Sequence, residues 1–360
     1  MSQYKRSSDR VAQYWNEYTT RFRDKEAGLF WWQAGPEIQK HINRKISGAS
    51  DVDWTKYTLR KYFVDRLPLK RCLSLGCGNG HLERTLARQG AFENCDAYDV
   101  SGDSIRMAQK VAEEEGLTNI TYYVADINTI TLPRDTYDAV WIASAMHHFE
   151  RLEHVCQEIS QSLKPDGLLV LNEYVGPSRF QFPTRQKQIA NLCLHLLPER
   201  YRRVVPEQIA LDTERIPFAK EGRGVRWFWA RLQDKIRDGD LVGVIQRRWR
   251  TYHAVLAHKP LVKTEVVFPS VRDVASADPS EAVRSSEIVR ALRGQFEIIE
   301  KKDWGGNLMQ FVLAGIAGNF DDSTGQSLLR MLLEIEDTLL QANEFESDYA
   351  YIVARPRKAK

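Results

Sequence analysis

The sequence predicts an α/β fold, a mostly parallel sheet with helices on both faces, and three observations predict it. The first is the stretch Arg71 to Gly80, RCLSLGCGNG, in which a short apolar segment, Cys72 to Leu75, runs into glycines at 76, 78 and 80. A helix-like segment follows at once, and strand, glycine turn and helix together open a nucleotide-binding α/β unit. The second is an acid at the end of the next apolar segment, CDAYDV: Asp99 lies 19 residues after Gly80, where such folds place a carboxylate that accepts from ribose hydroxyls. The third is the alternation of apolar strand segments with helical ones from there to Glu173, which implies a parallel sheet with right-handed crossovers.

Before the glycine turn the pattern is helical. Val11 to Arg23 places Val11, Trp15, Tyr18 and Phe22 on one side. Pro36 suits the first turn of a second helix, Glu37 to Ile46, and Ser47-Gly48-Ala49-Ser50 ends it. A third runs from Trp54 to Leu67, and Trp31-Trp32 fit a cleft lining and a packed core equally well.

After Gly80 come a crossover helix from His81 and the strand Cys95 to Val100. A helix follows, opened by Ser101-Gly102-Asp103-Ser104 and stopped at Gly116. The strand Ile120 to Val124 leads to Asp126, and the strand Tyr137 to Ile142 runs into Ser144-Ala145-Met146-His147-His148. The helix Leu152 to Leu163 carries Leu152, Val155, Cys156, Ile159 and Leu163 at helical spacing. A turn, Lys164-Pro165-Asp166-Gly167, precedes the strand Gly167 to Glu173.

From Tyr174 the alternation stops for about 110 residues. Helices are expected at Arg185 to Leu197, Gly224 to Ile236 and Leu241 to His258, loop at Pro260 to Pro279, and a helix at Pro279 to Leu292. The strand Phe296 to Lys301, helices at Leu308 to Ala317 and Ser327 to Ala342, and the strand Tyr349 to Ala354 complete the chain. The basic end, Arg355 to Lys360, is expected to fray.

At 360 residues the chain is long enough for a substantial core and exceeds one average domain. Hydrophobic content of 43% and charged content of 28% are ordinary for a globular protein. The net charge of +3 is uneven: residues 177–289 hold 20 Lys and Arg against 13 Asp and Glu, a surplus of +7, which leaves −4 for the rest. Cys72, Cys77, Cys95, Cys156 and Cys193 form no C-x-x-C pair and read as core fillers in a reducing compartment. The polar opening MSQYKRSSDR gives no signal-peptide pattern, and no run of about 18 apolar residues predicts a membrane span, so a cytoplasmic protein is expected. His41, His154, His195, His253 and His258 show no metal spacing, and no metal is expected.

The ordered set LSLGCGNG, CDAYDVS, VADI, YDAVWIASAMHHF and SLKPDGLLVLNEY resembles the class I S-adenosylmethionine-dependent methyltransferases over about Arg71 to Gly176. The NEYVGPSRFQF stretch also resembles uncharacterised bacterial members with a large insertion between strands five and six. The resemblance implies a Rossmann-like seven-stranded sheet closed by an antiparallel last strand. It implies a core at 69–176 and 290–360, an N-terminal helical segment at 1–68 that folds over the cofactor, and a helical insertion at 177–289 that caps the acceptor site. S-adenosylmethionine is the implied cofactor. Its carboxylate suits the backbone amides of Gly76, Cys77, Gly78 and Gly80. Its ribose suits Asp99 with Val100, and its adenine suits Asp126 and Ile127. Tyr14 and Trp15 match the aromatic pair of a lid; sealing of the core is the other use of such a pair.

For an alcohol acceptor, a base that removes the proton as the bond forms is needed. His147 and His148 follow the fourth strand at the carboxyl edge of the sheet; adjacent residues point differently, so one is expected to face the cleft. Glu173 and Tyr174 end the fifth strand, and Glu173 is placed to accept a substrate hydroxyl or orient the base. Positioning without any base is the competing expectation. In the insertion, Arg226 and Trp227 lie among Arg223, Trp229 and Arg247-Arg248-Trp249-Arg250, a pattern that grips phosphate and stacks on a sugar or base. Amphipathic helices with solvated basic faces give the same pattern. The favoured reading is methyl transfer to a small-molecule or glycan acceptor, an anionic one included, at oxygen. A nucleic-acid methyltransferase and a non-enzymatic donor-binding protein are the alternatives; no RNA-binding module adjoins the core, which disfavours the former. The glycine spacing and Asp126 disfavour a nicotinamide enzyme.

Overall fold

The computed structural model of the chain describes residues 8–17, 19, 32–204, 249, 253 and 260–357. Seven strands make one sheet: β1 (Leu69–Leu75), β2 (Phe92–Asp99), β3 (Ile120–Val124), β4 (Tyr137–Ala143), β5 (Leu163–Tyr174), β6 (Phe296–Gly305) and β7 (Tyr349–Pro356). Their order is β3-β2-β1-β4-β5-β7-β6. β1 to β5 run parallel, and β7 lies antiparallel between β5 and β6. Successive strands leave β1 in opposite directions, to β2 on one side and β4 on the other. A crevice therefore opens at the carboxyl ends of these two strands, which is where ligands of such sheets bind.

Alternation within the strands builds a core on each face. Leu73, Leu75, Val140, Ile142, Leu169 and Leu171 face one side, with Val155, Cys156 and Ile159 of the helix Leu152–Ser162 and with Ile288 and Leu292 of the helix Ile288–Gln295. Cys72, Ala139, Trp141, Leu168 and Val170 face the other, with Ile38, Ile42 and Ile46 of the helix Pro36–Ser47 and with Leu332 of the helix Ser323–Gln341. Each fully buried Leu or Ile contributes about 1.5–3 kcal/mol, so the two faces hold the sheet without help from disulfides. The five cysteines are free, and four of them are buried. Trp32 is buried against Trp304 and Tyr349, a packing role.

The structure departs from the sequence expectations at several boundaries. The helix from Trp54 ends at Tyr62, because Phe63 turns fully into the core and the backbone continues as a short 3-10 turn, Val64–Arg66. The predicted turn before β5 is a bulge within the strand: Leu163 pairs with Tyr137, and the next pair is Leu168 with Ala139. Lys164 Nζ holds the bulge by donating to Asp138 Oδ1 at 2.8 Å. The segment expected as loop at 260–279 contains the helix Val271–Ala277, started by a capping box of Ser270 and Asp273. The helix expected from Pro279 begins only at Ile288, after a turn around Asp278 and a 3-10 turn, Ser285–Glu287. The helix expected from Leu308 to Ala317 is one turn, Met309–Val312. Lys263 Nζ donates to the carbonyls of Phe311, Val312 and Ala314 and satisfies the end of that turn. Arg226 and Trp227 lie outside the described residues, as do the helices expected at 224–236 and nearly all of 241–258.

Candidate active site

The glycine turn is bound to the end of β2, where Tyr98 O accepts from Gly76 N at 2.8 Å and Cys77 N at 3.1 Å. Two of the glycines are required by close approach. Gly76 has φ 71°, and a Cβ there would lie 2.4 Å from the Cβ of Ala145, in the loop after β4. Gly80 has φ 76°, and a Cβ there would meet the Tyr122 hydroxyl at 2.5 Å and Ala108 at 2.9 Å. One glycine thus seats the β4 loop and the other seats the helix Gly102–Glu114 against β3.

Beside this turn is a cavity of about 270 Å³ at the carboxyl ends of β1, β2 and β4. Gly76, Cys77, Gly78, Asn79, Asp99 and Val100 line one side of it, and Asp126, Ile127 and Asn128 another. Asp99 Oδ2 accepts from Gly78 N at 2.9 Å, and its Oδ1 accepts from Ser101 N at 2.8 Å. Burial pushes the Asp99 carboxyl up, against the pull of these amides. A carboxylate has about four acceptor positions, so capacity remains toward the cavity for a diol. Asp126 caps the 3-10 turn Ile127–Thr129 through Asn128 N at 2.9 Å. Asn128 Oδ1 in turn accepts from Glu150 N at 2.8 Å and Arg151 N at 3.0 Å, which fastens the β3 loop to the β4 loop.

Residues 8–17 are helical and lie across the cavity. Ser8, Val11 and Trp15 line it. Ser8 Oγ donates to Asp126 Oδ2 at 2.8 Å, and Asn16 Oδ1 accepts from Ser101 Oγ at 2.7 Å and Asp103 N at 3.1 Å. The Trp15 ring meets His148 edge-on with centroids 5.2 Å apart. The helix is thus tied at both ends to loops that carry candidate ligand residues.

The two adjacent histidines have different surroundings. His148 lines the cavity; its Nδ1 is 3.1 Å from Ser280 Oγ, which donates to Asp278 Oδ1 at 2.7 Å. Burial, then the neighbouring His147, pull the His148 pKa down to about 3, so the ring is neutral near pH 7. His147 sits beneath it, ring centroids 4.1 Å apart, with Nδ1 2.5 Å from Glu173 Oε1 and Nε2 3.5 Å from Glu281 Oε1. Burial works to lower the His147 pKa, but the Glu173 carboxylate outweighs it and the pKa is raised. His147, His148 and Glu281 bring ligand-type atoms within 4.8 Å of one another, a grouping that sequence spacing did not predict. Glu173 and Glu281 both face the His147 ring, and both favour its charged form.

Of the residues expected at a site, Gly76, Cys77, Gly78, Asp99, Val100, Asp126, Ile127, Trp15 and His148 come together around this cavity. Gly80 does not line it and serves packing. Tyr14 packs edge-on against Trp15 and is not among the described lining residues. Glu173 and Tyr174 do not face the cleft as expected. Glu173 is fully buried beneath the β4 loop, and Tyr174 is buried with its hydroxyl donating to Pro177 O. Sequence reasoning missed Ser280, Asp278, Asn128 and Asn16. Asp278-Pro279-Ser280 carries a turn signal, but nothing local announces that this turn returns to the β4 loop from 130 residues away.

Residues 73–171 match the family model described as a methyltransferase domain. The uncharacterised methyltransferase YcgJ of Bacillus subtilis is 27% identical over 107 residues, 30% of this chain and 42% of that protein. The demethylmenaquinone methyltransferase of Thermus thermophilus is 28% identical over 141 residues, 39% of this chain and 63% of that one. The chain thus spans about half the length of these curated relatives. The solved [4+2]-cyclase SpnF covers 97% of this chain and 96% of its own at 15% identity with a TM-score of 0.49, too distant to bear on function. Across residues 73–171 the chain carries the methyltransferase domain of the class I S-adenosylmethionine-dependent methyltransferases.

Proposed function

We propose that this protein transfers a methyl group from S-adenosylmethionine to the oxygen of a small-molecule acceptor, a glycan or an anionic metabolite included. The observation that carries the reading is one cavity lined by the 76–79 turn, Asp99, Asp126 and His148 together. The residues fit this methyl donor. Backbone amides beside the turn suit a carboxylate, the Asp99 oxygens suit vicinal hydroxyls, and Asp126 with Ile127 suits an adenine edge. When bound, the donor supplies an electrophilic methyl on a sulfonium. Trp15 and the helix it belongs to exclude water from that space, and His148 is neutral and able to take a proton.

Acceptor choice is assigned to the 177–289 segment, whose Ser280 reaches the cavity wall. Arg226 and Trp227 of that segment are proposed acceptor contacts. Their joint replacement by Ala is expected to raise acceptor KM with little change in methyl-donor affinity, because the two sites use different segments.

The test is turnover of methyl-labelled S-adenosylmethionine against panels of hydroxylated metabolites, glycans and nucleic acids. Label is expected in a small-molecule hydroxyl. Label only in nucleic acid, or donor binding without any turnover, contradicts the reading and favours one of the two alternatives.

A further inference from the structure

We infer that Asp278 and Ser280 hold His148 as the tautomer with hydrogen on Nδ1, and thereby make its Nε2 the proton acceptor for a hydroxyl substrate. This deepens the function proposed above and rests on it. The observations are the two hydrogen bonds and their direction. Asp278 Oδ1 accepts from both the backbone N of Ser280 at 2.8 Å and the Ser280 hydroxyl at 2.7 Å. With its hydrogen given to Asp278, Ser280 Oγ has only lone pairs to offer His148 Nδ1, 3.1 Å away, so Nδ1 carries the hydrogen. Among the described residues no hydrogen bond reaches Nε2, while the ring lines the cavity. Asp278 and Ser280 are 1% and 3% exposed, so water does not compete for the chain of bonds. Asp278 Oδ2 has no hydrogen-bond partner in its buried position and lies 3.5 Å from His148 Nδ1. A buried carboxylate oxygen left this way costs stability unless a charge appears beside it.

That charge appears in the reaction. The acceptor's O–H bond breaks and its proton goes to His148 Nε2. The acceptor oxygen bonds the methyl carbon, the carbon–sulfur bond breaks, and its electron pair stays on sulfur. One positive charge leaves sulfur and one is gained by the imidazole, where Asp278 meets it. The other groups facing this ring divide: Glu281 and the Ser280 backbone favour its charged form, while His147 and Arg179 oppose it. The ring is thus neutral at rest and is stabilised on the side of Asp278 as it charges. Asp278 and Ser280 are positioning residues, and they belong to the 177–289 segment, not to the strand ends where Glu173 was expected to do this work.

The experiment is histidine side-chain nitrogen–proton correlation spectroscopy on the full chain with bound S-adenosylhomocysteine, alongside kinetics of Ser280→Ala, Ser280→Thr and Asp278→Asn. The expected spectrum shows His148 neutral with hydrogen on Nδ1 between pH 6 and 8. Ser280→Ala is expected to mix the tautomers and lower kcat about 10–100-fold with methyl-donor affinity within threefold, and Ser280→Thr to restore both. Hydrogen on Nε2, an imidazolium at pH 7, or stoichiometric metal bound to the imidazole overturns the inference. So does a Ser280→Ala protein with unchanged tautomer and kcat. The tautomer is read without turnover. An intact Nδ1–H signal in a protein that transfers no methyl therefore overturns the function proposed above while the hydrogen-bond chain stands.

Discussion

Glu173 Oε1 lies 2.5 Å from His147 Nδ1, and the same buried carboxylate gathers the start of the β4 loop. Oε2 accepts from Ala145 N at 2.8 Å and Met146 N at 2.6 Å, and Oε1 also accepts from Tyr174 N at 2.7 Å. Four donors converge on two oxygens. Glu173→Gln keeps the size but turns one acceptor into a donor, so at least one backbone N–H then faces an NH₂ group. A loss of about 3 kcal/mol in denaturant unfolding is expected.

The same variant changes pH dependence. The folded-state pKa of His147 is raised above its unfolded value near 6.5 by the Glu173 carboxylate, which outweighs burial. Stability from this pair is therefore complete below that unfolded value and lost as pH rises through the folded one. The parent protein is expected to lose more stability over this range than Glu173→Gln, and the difference between the two slopes reports the pair. Parallel slopes contradict a charged His147.

Glu83 makes the opposite kind of statement behind the glycine turn. It is fully buried; Ser74 donates to Oε1, Oε2 has no partner, and burial pushes the carboxyl up to about 7. An acid whose folded pKa is raised binds its proton more tightly in the folded state. Its stability is present below the unfolded value of about 4.5 and falls as pH rises toward and through 7. Glu83→Gln mimics the protonated acid. It is expected to match the parent at pH 4 and exceed it by about 1–3 kcal/mol at pH 8, read by thermal melts at both values.

Gly76→Ala is expected to cost more than about 2 kcal/mol, because both the positive φ and the 2.4 Å approach to Ala145 oppose a Cβ. Since the turn and the β4 loop both line the cavity, methyl-donor affinity should fall with it. A variant of parental stability and affinity would show that the two loops are not pressed together as described.

Trp15→Ala tests the covering helix. Loss of the ring that meets His148 is expected to weaken methyl-donor binding about tenfold, as for an aromatic contact worth about 1.4 kcal/mol, with the midpoint of unfolding nearly unchanged. An unchanged affinity would make the helix a packing element.

The parts of this molecule legible in sequence are those encoded locally. The glycine turn, Asp99 and Asp126 announce themselves by spacing from apolar strands, and the two-faced burial of β1, β4 and β5 appears as continuous apolar runs. Ser270 with Asp273 is equally local, a capping box inside a stretch whose composition reads as loop. What was not legible depends on distant segments meeting. His148, not His147, lines the cavity because the turn at Asp278 to Ser280 arrives beside it. Glu173 is hidden because the β4 loop folds over it, a tertiary event that strand alternation cannot express.

The most direct measurement is a calorimetric titration of the parent protein and Asp99→Ala with S-adenosylhomocysteine. Saturable one-site binding by the parent and at least tenfold weaker binding by Asp99→Ala are expected, the loss of a charge-assisted contact worth about 1.5–3 kcal/mol. Absence of binding by the parent protein, or equal affinity in the two proteins, would contradict the role given to Asp99.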